Sequence, residues 1–344
     1  MTKAPTVFVG MSGGVDSSVS AALLKDQGFH VVGVYMKNWS KNLPGMKCPW
    51  AEDLADAKRV AVKLGIDFKI FDFETEYKQK VVDYMLTEYQ KGNTPNPDIM
   101  CNQEIKFKLF AETAFEQGAD FIATGHYANV KDSKLVIAKD ENKDQTYFLY
   151  RIRPEILSRT IFPVGNMLKP DVKKLAEKYG LENAHKPESM GVCFVGEANM
   201  KDFLAEFIDL KPGEIRELET NQKLGYHEGA ILYTIGQRHG LGLGSGLPFY
   251  VAKKDIKNNI IYVSKNLNAD NLWTTELKLK DIYLRDAPSE DLQVRIRHRA
   301  PLIPAKFNGE KITFEKPVKK IAPGQSIVFY SKDICLGGGI VVED

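Results

Sequence analysis

The stretch Thr6-Val7-Phe8-Val9-Gly10-Met11-Ser12-Gly13-Gly14-Val15-Asp16-Ser17-Ser18 decides the fold of this chain. Its apolar first part predicts a buried parallel strand, and the residues at 19–24 predict a helix. A strand, a turn rich in glycine and serine and a helix N-terminus form an anion site, because glycine permits close backbone approach and the first-turn N–H groups face the anion. We expect Ser12, Ser17 and Ser18 to add hydroxyl donors.

The loop matches neither of the two common glycine-rich phosphate motifs. It lacks the Gly-x-x-x-x-Gly-Lys pattern of P-loop proteins, and it is not the Gly-x-Gly-x-x-Gly of dinucleotide folds. The Ser-Gly-Gly-x-Asp-Ser at 12–17 resembles the pyrophosphate loop (PP-loop) of the ATP pyrophosphatase superfamily. Members of that superfamily cleave ATP between the α and β phosphates and adenylate a substrate, so the resemblance implies ATP with Mg²⁺. The alternative is a generic glycine turn capped by serine.

Length and composition indicate two or three domains, because 344 residues are too many for one ordinary core. The net charge of +2 means that a nucleic-acid surface would need locally concentrated basic residues. The four cysteines, Cys48, Cys101, Cys193 and Cys335, lie far apart without Cys-x-x-Cys spacing, which argues against a disulfide scaffold or a zinc site. With no signal pattern and no membrane-length apolar run, we expect a cytoplasmic protein without a structural metal.

Strand-like and helix-like stretches alternate through the first part of the chain. Strands at 31–36, 68–71 and 121–124 and helices at 52–64 and 74–89 predict a parallel sheet with helices on both faces. Ligands gather at the carboxyl ends of such strands, which places the loop at 10–18, Met36 and Gly125-His126 around one crevice. After about residue 200 the alternation fades. Short strands at 293–297, 305–307, 311–314, 326–330 and 339–342 then predict a small β-barrel.

Two cysteines lie in segments that suit chemistry. Asn96 is predicted to cap a helix with Pro97 as its first residue, Asp98 in its first turn and Cys101 on the same face. The helix N-terminus favours the thiolate, whereas Asp98 opposes it but is able to shuttle a proton. Cys193 lies between Gly191 and Gly196, which favours an accessible loop thiol. The alternative for each cysteine is a packed, inert side chain. We expect no catalytic role for Cys48, a free thiol before a helix, or for Cys335, a packed side chain in a β-strand.

Taken together, the motifs resemble those of the bacterial tRNA-specific 2-thiouridylase family, whose members thiolate the wobble uridine (U34) of glutamate, glutamine and lysine tRNAs. The resemblance covers essentially the whole chain, with motifs at 10–18, 94–102, 123–127, 143–149, 191–196, 234–238 and 335–339. It implies an α/β, adenine-nucleotide α-hydrolase-like catalytic domain at residues 1–203, built on a parallel sheet. A central tRNA-binding or linking domain at 204–275 and a C-terminal tRNA-binding β-barrel at 276–344 complete the chain.

The resemblance also implies roles for individual residues. Cys193 accepts persulfide sulfur from a donor protein, either a relay protein or a cysteine desulfurase, and Cys101 is the nucleophile. Asp98 is an acid/base, and Asn96-Pro97-Asp98 border the target base. The ATP site consists of Gly10, Met11, Ser12, Gly13, Gly14, Val15, Asp16, Ser17, Met36 and Gly125. Whether the persulfide attacks directly or hydrosulfide is released, a Cys101–Cys193 disulfide forms that a reductant must reduce.

Contacts with tRNA are implied for His126, Lys143, Asp144, Gln145, Arg297, His298 and Gln325, although the family commonly has tyrosine in place of His298. Separately, Arg295, Arg297 and Arg299 alternate, so on a strand they would share one face and form a basic stripe for phosphates. The alternative is a solvated strand face.

Three other functions stay open. The first is another PP-loop adenylating enzyme with a small-molecule substrate, and such enzymes lack this thiol pair. The second is a thiolating enzyme for a different tRNA position, some of which bind an iron–sulfur cluster through Cys-x-x-Cys. The third is a non-catalytic, nucleotide-responsive RNA-binding protein, which the intact Asp16, Asp98, Cys101 and Cys193 disfavour.

Overall fold

The computed structural model describes residues 4–42, 48–187, 200–244, 248–266, 272–288 and 290–343. Its strands, in chain order, are β1 Thr6–Gly10, β2 His30–Lys37, β3 Asp67–Asp72, β4 Phe121–Thr124, β5 Asn129–Lys131, β6 Lys134–Val136, β7 Thr160–Ile161, β8 Gly213–Glu217, β9 Lys223–His227, β10 Tyr250–Asp255, β11 Ile260–Ser264, β12 Trp273–Leu284, β13 Gln293–Arg295, β14 Ile303–Phe307, β15 Lys311–Lys319, β16 Ser326–Ser331 and β17 Ile334–Val341. Its α-helices are α1 Val15–Asp26, α2 Trp50–Leu64, α3 Glu74–Tyr77, α4 Asp83–Gln90, α5 Pro97–Met100, α6 Phe110–Glu116, α7 Thr146–Leu149, α8 Pro154–Leu157, α9 Lys169–Lys178 and α10 Met200–Ala205. Two π-helical segments, Lys78–Val82 and Cys101–Leu109, and a 3₁₀ turn at Ala230–Leu232 complete the helical structure.

The elements from β1 to α10 form an N-terminal unit around a parallel sheet of order β3-β2-β1-β4-β7. Alternation along β1 buries Val7 and Val9 in one core and Phe8 in the other, so both faces of the sheet are covered. The strand order reverses between β1 and β4, and this switch point is where ligands bind in such folds. The predicted parallel sheet with helices on both faces is confirmed.

The helices form a layer on each face of the sheet. Helices α1, α2 and α9 pack on one face through Val19, Leu64 and Val172, and the helices between residues 74 and 116 pack on the other. The helix predicted at 74–89 is observed as α3, a π-helical turn and α4 in direct succession. Within the described part of the chain, no helix has both the length and the apolar character needed to cross a membrane.

Two further units follow in the chain. Strands β8 to β11 form a four-stranded sheet of order β10-β11-β8-β9, which we call the central unit. Strands β12 to β17 form the predicted antiparallel barrel, which closes where β12 pairs with β17. The hairpin β5–β6 of the N-terminal unit, which the sequence did not predict, adds to the barrel sheet because β6 pairs with β17.

Candidate functional site

The glycine- and serine-rich loop connects the carboxyl end of β1 to α1. Gly14 is the N-cap of α1, and no described side chain caps this helix, so its first-turn N–H groups are open to a ligand. Gly13 has a φ of +75°, and a Cβ there would lie 2.4 Å from the Asp53 carbonyl oxygen of α2. Only glycine fits this turn, and the resulting geometry suits a phosphate.

Two of the three loop serines, Ser17 and Ser18, donate their hydroxyls to the Gly14 carbonyl. Ser12 is exposed, and its backbone N–H lies 3.3 Å from the Ser17 Oγ, which itself donates to the Gly14 carbonyl at 3.1 Å. Ser18 is fully buried, donates to the same carbonyl at 2.9 Å and accepts from Asn183 Nδ2 at 2.9 Å. The prediction that Ser18 offers its hydroxyl to a phosphate is therefore wrong, because that hydroxyl is used to shape the loop.

Asp16, in the first turn of α1, is held by an ion pair that the sequence did not reveal. Lys169 Nζ, at the start of α9, lies 2.6 and 2.8 Å from the two carboxylate oxygens of Asp16, and the Tyr127 hydroxyl donates to Oδ1 at 3.0 Å. Lys169 is 7% exposed, so this cation is held beside the loop rather than in solvent. Its separation from Asp16 by more than 150 residues explains why local pattern did not reveal it, and the only local signal is a lysine before Pro170 at a helix start.

Gly125 and Met36, both predicted at the ATP site, lie beside the loop. A Cβ at Gly125 would lie 2.5 Å from the Ser17 backbone nitrogen, so the turn after β4 touches the start of α1. The Met36 Cε would lie 3.0 Å from a Cβ at Gly10, which places the end of β2 against the end of β1. These contacts place the ends of the three strands beside the loop, and the role of each residue in ATP binding stays a prediction.

The segment before Cys101 has the predicted helix cap. The Asn96 side-chain oxygen accepts from the Asp98 and Ile99 backbone N–H groups at 3.2 and 3.3 Å, and Pro97 opens α5. Cys101 is buried and begins a π-helical segment, which is a frequent feature of functional sites. Burial raises the pKa of Asp98, while the positive charge of Lys106 lowers it. A carboxyl group whose pKa is set by burial and by a nearby cation suits acid/base chemistry.

Lys106 and His126 link the segment of Cys101 to the end of β4. Lys106 Nζ lies 3.5 Å from His126 Nε2, and His126 Nδ1 lies 2.8 Å from Thr124 Oγ1. An ammonium group has only donors, so Nε2 is the acceptor and the ring proton sits on Nδ1. Burial, and then the charge of Lys106, hold the pKa of His126 well below its usual value, so the ring is neutral. Lys106 thus acts electrostatically on both Asp98 and His126, and the sequence analysis had not singled it out.

The predicted basic stripe on the barrel does not form, because β13 ends at Arg295. Arg295 is buried, and its Nη1 donates to the Asp144 carboxylate at 2.5 Å. Arg297 is exposed in the turn that follows, and Arg299 has a φ of +62°. The period-two rule fails here since it holds only while the strand continues.

Several of the residues predicted to contact tRNA have side chains that contact other parts of the protein. Asp144 is 1% exposed, and the Gln145 Oε1 accepts from the Tyr127 N–H at 2.9 Å. The His298 ring lies 4.6 Å from that of Phe148, and burial and the charge of Arg299 lower the pKa of His298 to about 4. Gln325 points into the protein, where Nε2 donates to the Thr94 carbonyl at 2.6 Å. Contacts between these residues and tRNA stay predictions.

The remaining cysteines have the inert surroundings expected of them. Cys48 is buried beside α2, donates to the Trp39 carbonyl at 3.5 Å and has its pKa raised by burial. Cys335 is fully buried in β17, and burial raises its pKa to about 11. Cys193, predicted to carry the persulfide, lies outside the described residues, as does any pairing it makes with Cys101.

Three family models together match most of the chain. They are described as a tRNA methyl transferase HUP domain at residues 5–197, a tRNA methyl transferase PRC-barrel domain at 201–265 and an aminomethyltransferase beta-barrel domain at 274–341.

Similar whole proteins carry a common description. The tRNA-specific 2-thiouridylase MnmA 2 of Geobacillus kaustophilus is 44% identical over 360 residues, covering 100% of this chain and 97% of the relative. The tRNA-specific 2-thiouridylase MnmA of Listeria innocua is 45% identical over 349 residues, covering 97% and 94%. A solved 4-thiouridine synthetase–RNA complex with bound ATP is 19% identical with a TM-score of 0.39, covering 59% of this chain and 50% of that one, a likeness too partial to support a conclusion.

Proposed function

The chain belongs to the family of tRNA-specific 2-thiouridylases, and from this premise we propose that it replaces the C2 oxygen of the wobble uridine with sulfur in glutamate, glutamine and lysine tRNAs. The observation that supports the proposal is that two segments contact the turn after β4. One is the open N-terminus of α1 after the PP-loop, which suits phosphate. The other is the capped segment of Asp98 and Cys101, joined to the end of β4 by Lys106 and His126. Thiolation through an adenylate needs both.

The first proposed step activates the uridine. ATP, with Mg²⁺ as part of the substrate, binds with its phosphates at residues 10–17 and its adenosine near Met36 and Gly125. The uridine O2 attacks the α-phosphorus, the bond to the bridging oxygen breaks, and pyrophosphate leaves. The N3 proton of uridine passes to the Asp98 carboxylate. The loop contributes mainly electrostatic stabilisation, because the helix N-terminus stabilises the negative charge on the phosphates.

The second proposed step delivers sulfur. The terminal sulfur of a Cys193 persulfide attacks C2, and AMP leaves with the former uridine oxygen. The Cys101 thiolate then attacks the Cys193 sulfur, the S–S bond to the transferred atom breaks, and N3 regains its proton from Asp98. The products are 2-thiouridine and a Cys101–Cys193 disulfide, which an external reductant returns to thiols. In the alternative order, Cys101 first releases hydrosulfide, which then attacks C2.

The proposed partners follow from this chemistry. A donor protein must supply sulfur at the persulfide level, and a reductant must restore the thiols, which places the activity in a reducing cytoplasm. The tRNA would lie against the exposed Arg297, with Lys143, Gln145, His298 and His126 between the barrel and the crevice. The N-terminal unit and the barrel are joined by the β6–β17 pairing, which supports a tRNA surface that spans both.

The test is thiolation of an unmodified glutamate tRNA transcript with ATP, Mg²⁺ and a persulfide donor, followed by mass spectrometry of the anticodon loop. We expect a mass change of one oxygen replaced by sulfur, and pyrophosphate release that depends on the tRNA. Cys193→Ser should abolish thiolation from the persulfide donor, whereas Cys48→Ser should not. Pyrophosphate release with a small acid or amine instead of tRNA would contradict the proposal, as would full activity of Cys193→Ser with the persulfide donor.

A further inference from the structure

Residues 92–94, which we call the junction segment, lie where the N-terminal unit meets both other units. On the barrel side, the Thr94 N–H donates to the Pro323 carbonyl at 2.7 Å, and Gln325 Nε2 donates to the Thr94 carbonyl at 2.6 Å. Gly324 lies against the same residue, since a Cβ there would be 3.0 Å from the Thr94 backbone. Both backbone polar groups of Thr94 are therefore used by one turn of the barrel.

The central unit holds the same segment from another direction. The Thr94 hydroxyl lies 3.3 Å from the Thr234 hydroxyl, and Lys254 Nζ donates to the Gly92 carbonyl at 2.5 Å. A Cβ at Gly92 would lie 2.4 Å from Ile256, and the φ of Gly92 is +83°, so this approach requires glycine. Asn93 is bonded to Glu88 within the N-terminal unit, whereas Gly92 and Thr94 on either side of it are contacted from outside that unit.

The junction segment stands directly before the chemistry. Only Pro95 separates Thr94 from Asn96, the cap of the helix that carries Asp98 and leads into Cys101. Any shift of Thr94 moves the cap, and a displacement of about 1 Å at reacting groups is enough to cost about 100-fold in rate.

We propose that Gln325 and Thr234 are positioning residues for thiolation, which hold Thr94 and through it the segment of Asp98 and Cys101. The barrel and the central unit then contribute to the chemical step as well as to tRNA binding. This inference rests on the proposed function. It gives Gln325 a role different from the tRNA contact that resemblance implies, because its amide points to Thr94.

The test compares Gln325→Ala and Thr234→Val with Gln222→Ala, an exposed glutamine in the central unit. The decisive measurement is the single-turnover rate of thiolation at saturating tRNA. We expect Gln325→Ala and Thr234→Val to lower that rate about 10- to 100-fold and Gln222→Ala to leave it unchanged. An unchanged rate for Gln325→Ala at saturating tRNA, with or without a weaker tRNA dissociation constant, overturns the proposal.

A second measurement needs neither ATP nor tRNA, so it separates this inference from the proposed function. Alkylation of the buried Cys101 by iodoacetamide should be about tenfold faster in both variants, because a loosened segment opens locally more often. The enclosed Cys335 should stay unreactive, which shows that the barrel is folded. If the wild-type chain makes no 2-thiouridine, the proposed function fails, while unchanged Cys101 alkylation in both variants overturns the positioning role.

Discussion

Arg295 and Arg297 lie two residues apart, and the structure predicts opposite consequences for the same substitution at each. In Arg295→Met, the Asp144 carboxylate loses the guanidinium that neutralises it, an Nη1 donor at 2.5 Å. The two side chains are 10% and 1% exposed, so water cannot replace the guanidinium. Removing one partner of a buried ion pair costs about 3–5 kcal/mol.

The remaining contacts of Asp144 place the expected loss at the lower end of that range. Its carboxylate keeps the Ala138 N–H at 3.1 Å and the Thr146 hydroxyl at 2.8 Å. We therefore expect Arg295→Met to lower the free energy of unfolding by about 3 kcal/mol. Adding Asp144→Asn to Arg295→Met should recover part of this loss, because the buried charge is then gone. Arg297→Met is the matched control and should change stability by less than about 0.5 kcal/mol.

Urea denaturation followed by far-UV circular dichroism measures these free energies, and tRNA binding measured across salt concentrations gives the complementary result. Arg297→Met should reduce the slope of log affinity against log salt by about one phosphate contact, and Arg295→Met should leave the slope unchanged. Equal stability losses in the two variants would refute the buried ion pair as the reason. An equal decrease of the salt slope in both variants would instead support the predicted basic stripe, in which Arg295 and Arg297 both contact phosphates.

Two further predictions concern the reaction centre, and a third concerns the barrel. Lys169→Met should lower tRNA-dependent pyrophosphate release by about 10-fold or more, because Asp16 loses the cation that orients it in the loop proposed to bind phosphate. Lys174→Met, on the exposed face of α9, is the control. Lys106→Met should let the pKa of Asp98 rise further, so the acidic limb of the single-turnover pH–rate profile moves to higher pH if the carboxylate accepts the N3 proton. Lys106→Arg should keep the wild-type profile, and an unmoved limb in Lys106→Met would refute this coupling. Cys335 should resist iodoacetamide at pH 8 in the folded protein, since its pKa is raised to about 11 by burial, and rapid native labelling would contradict the barrel packing.

The sequence was most informative where local chemistry decides structure. Asn96 before Pro97 specifies a helix cap whatever surrounds it, and the cap is observed, with the Asn96 side chain accepting from two backbone N–H groups. The apolar run of β1 likewise specifies a strand buried on both faces. In both cases the determining interactions lie within a few residues of each other.

Features that depend on distant parts of the chain were not accessible in this way. The Asp16–Lys169 pair joins α1 to α9, and the β5–β6 hairpin finds its partner in β17, near the end of the chain. The prediction of a basic stripe through Arg295 was wrong because nothing in the neighbouring sequence shows that the strand ends there. A buried acid 151 residues away takes up the first of the three arginines.

Resemblance to a family indicates that a residue matters, but it does not show how that residue acts. Asp144 and Gln325 were both expected to contact tRNA, yet each uses its side chain inside the protein, one on Arg295 of β13 and the other on Thr94. Each of these bonds crosses from the N-terminal unit to the barrel. If the two units share the proposed tRNA surface, a side chain that joins them is needed for RNA binding or chemistry even when it never touches RNA. Loss of activity on substitution therefore cannot separate contact from support, whereas the salt slope and the rate at saturating tRNA can.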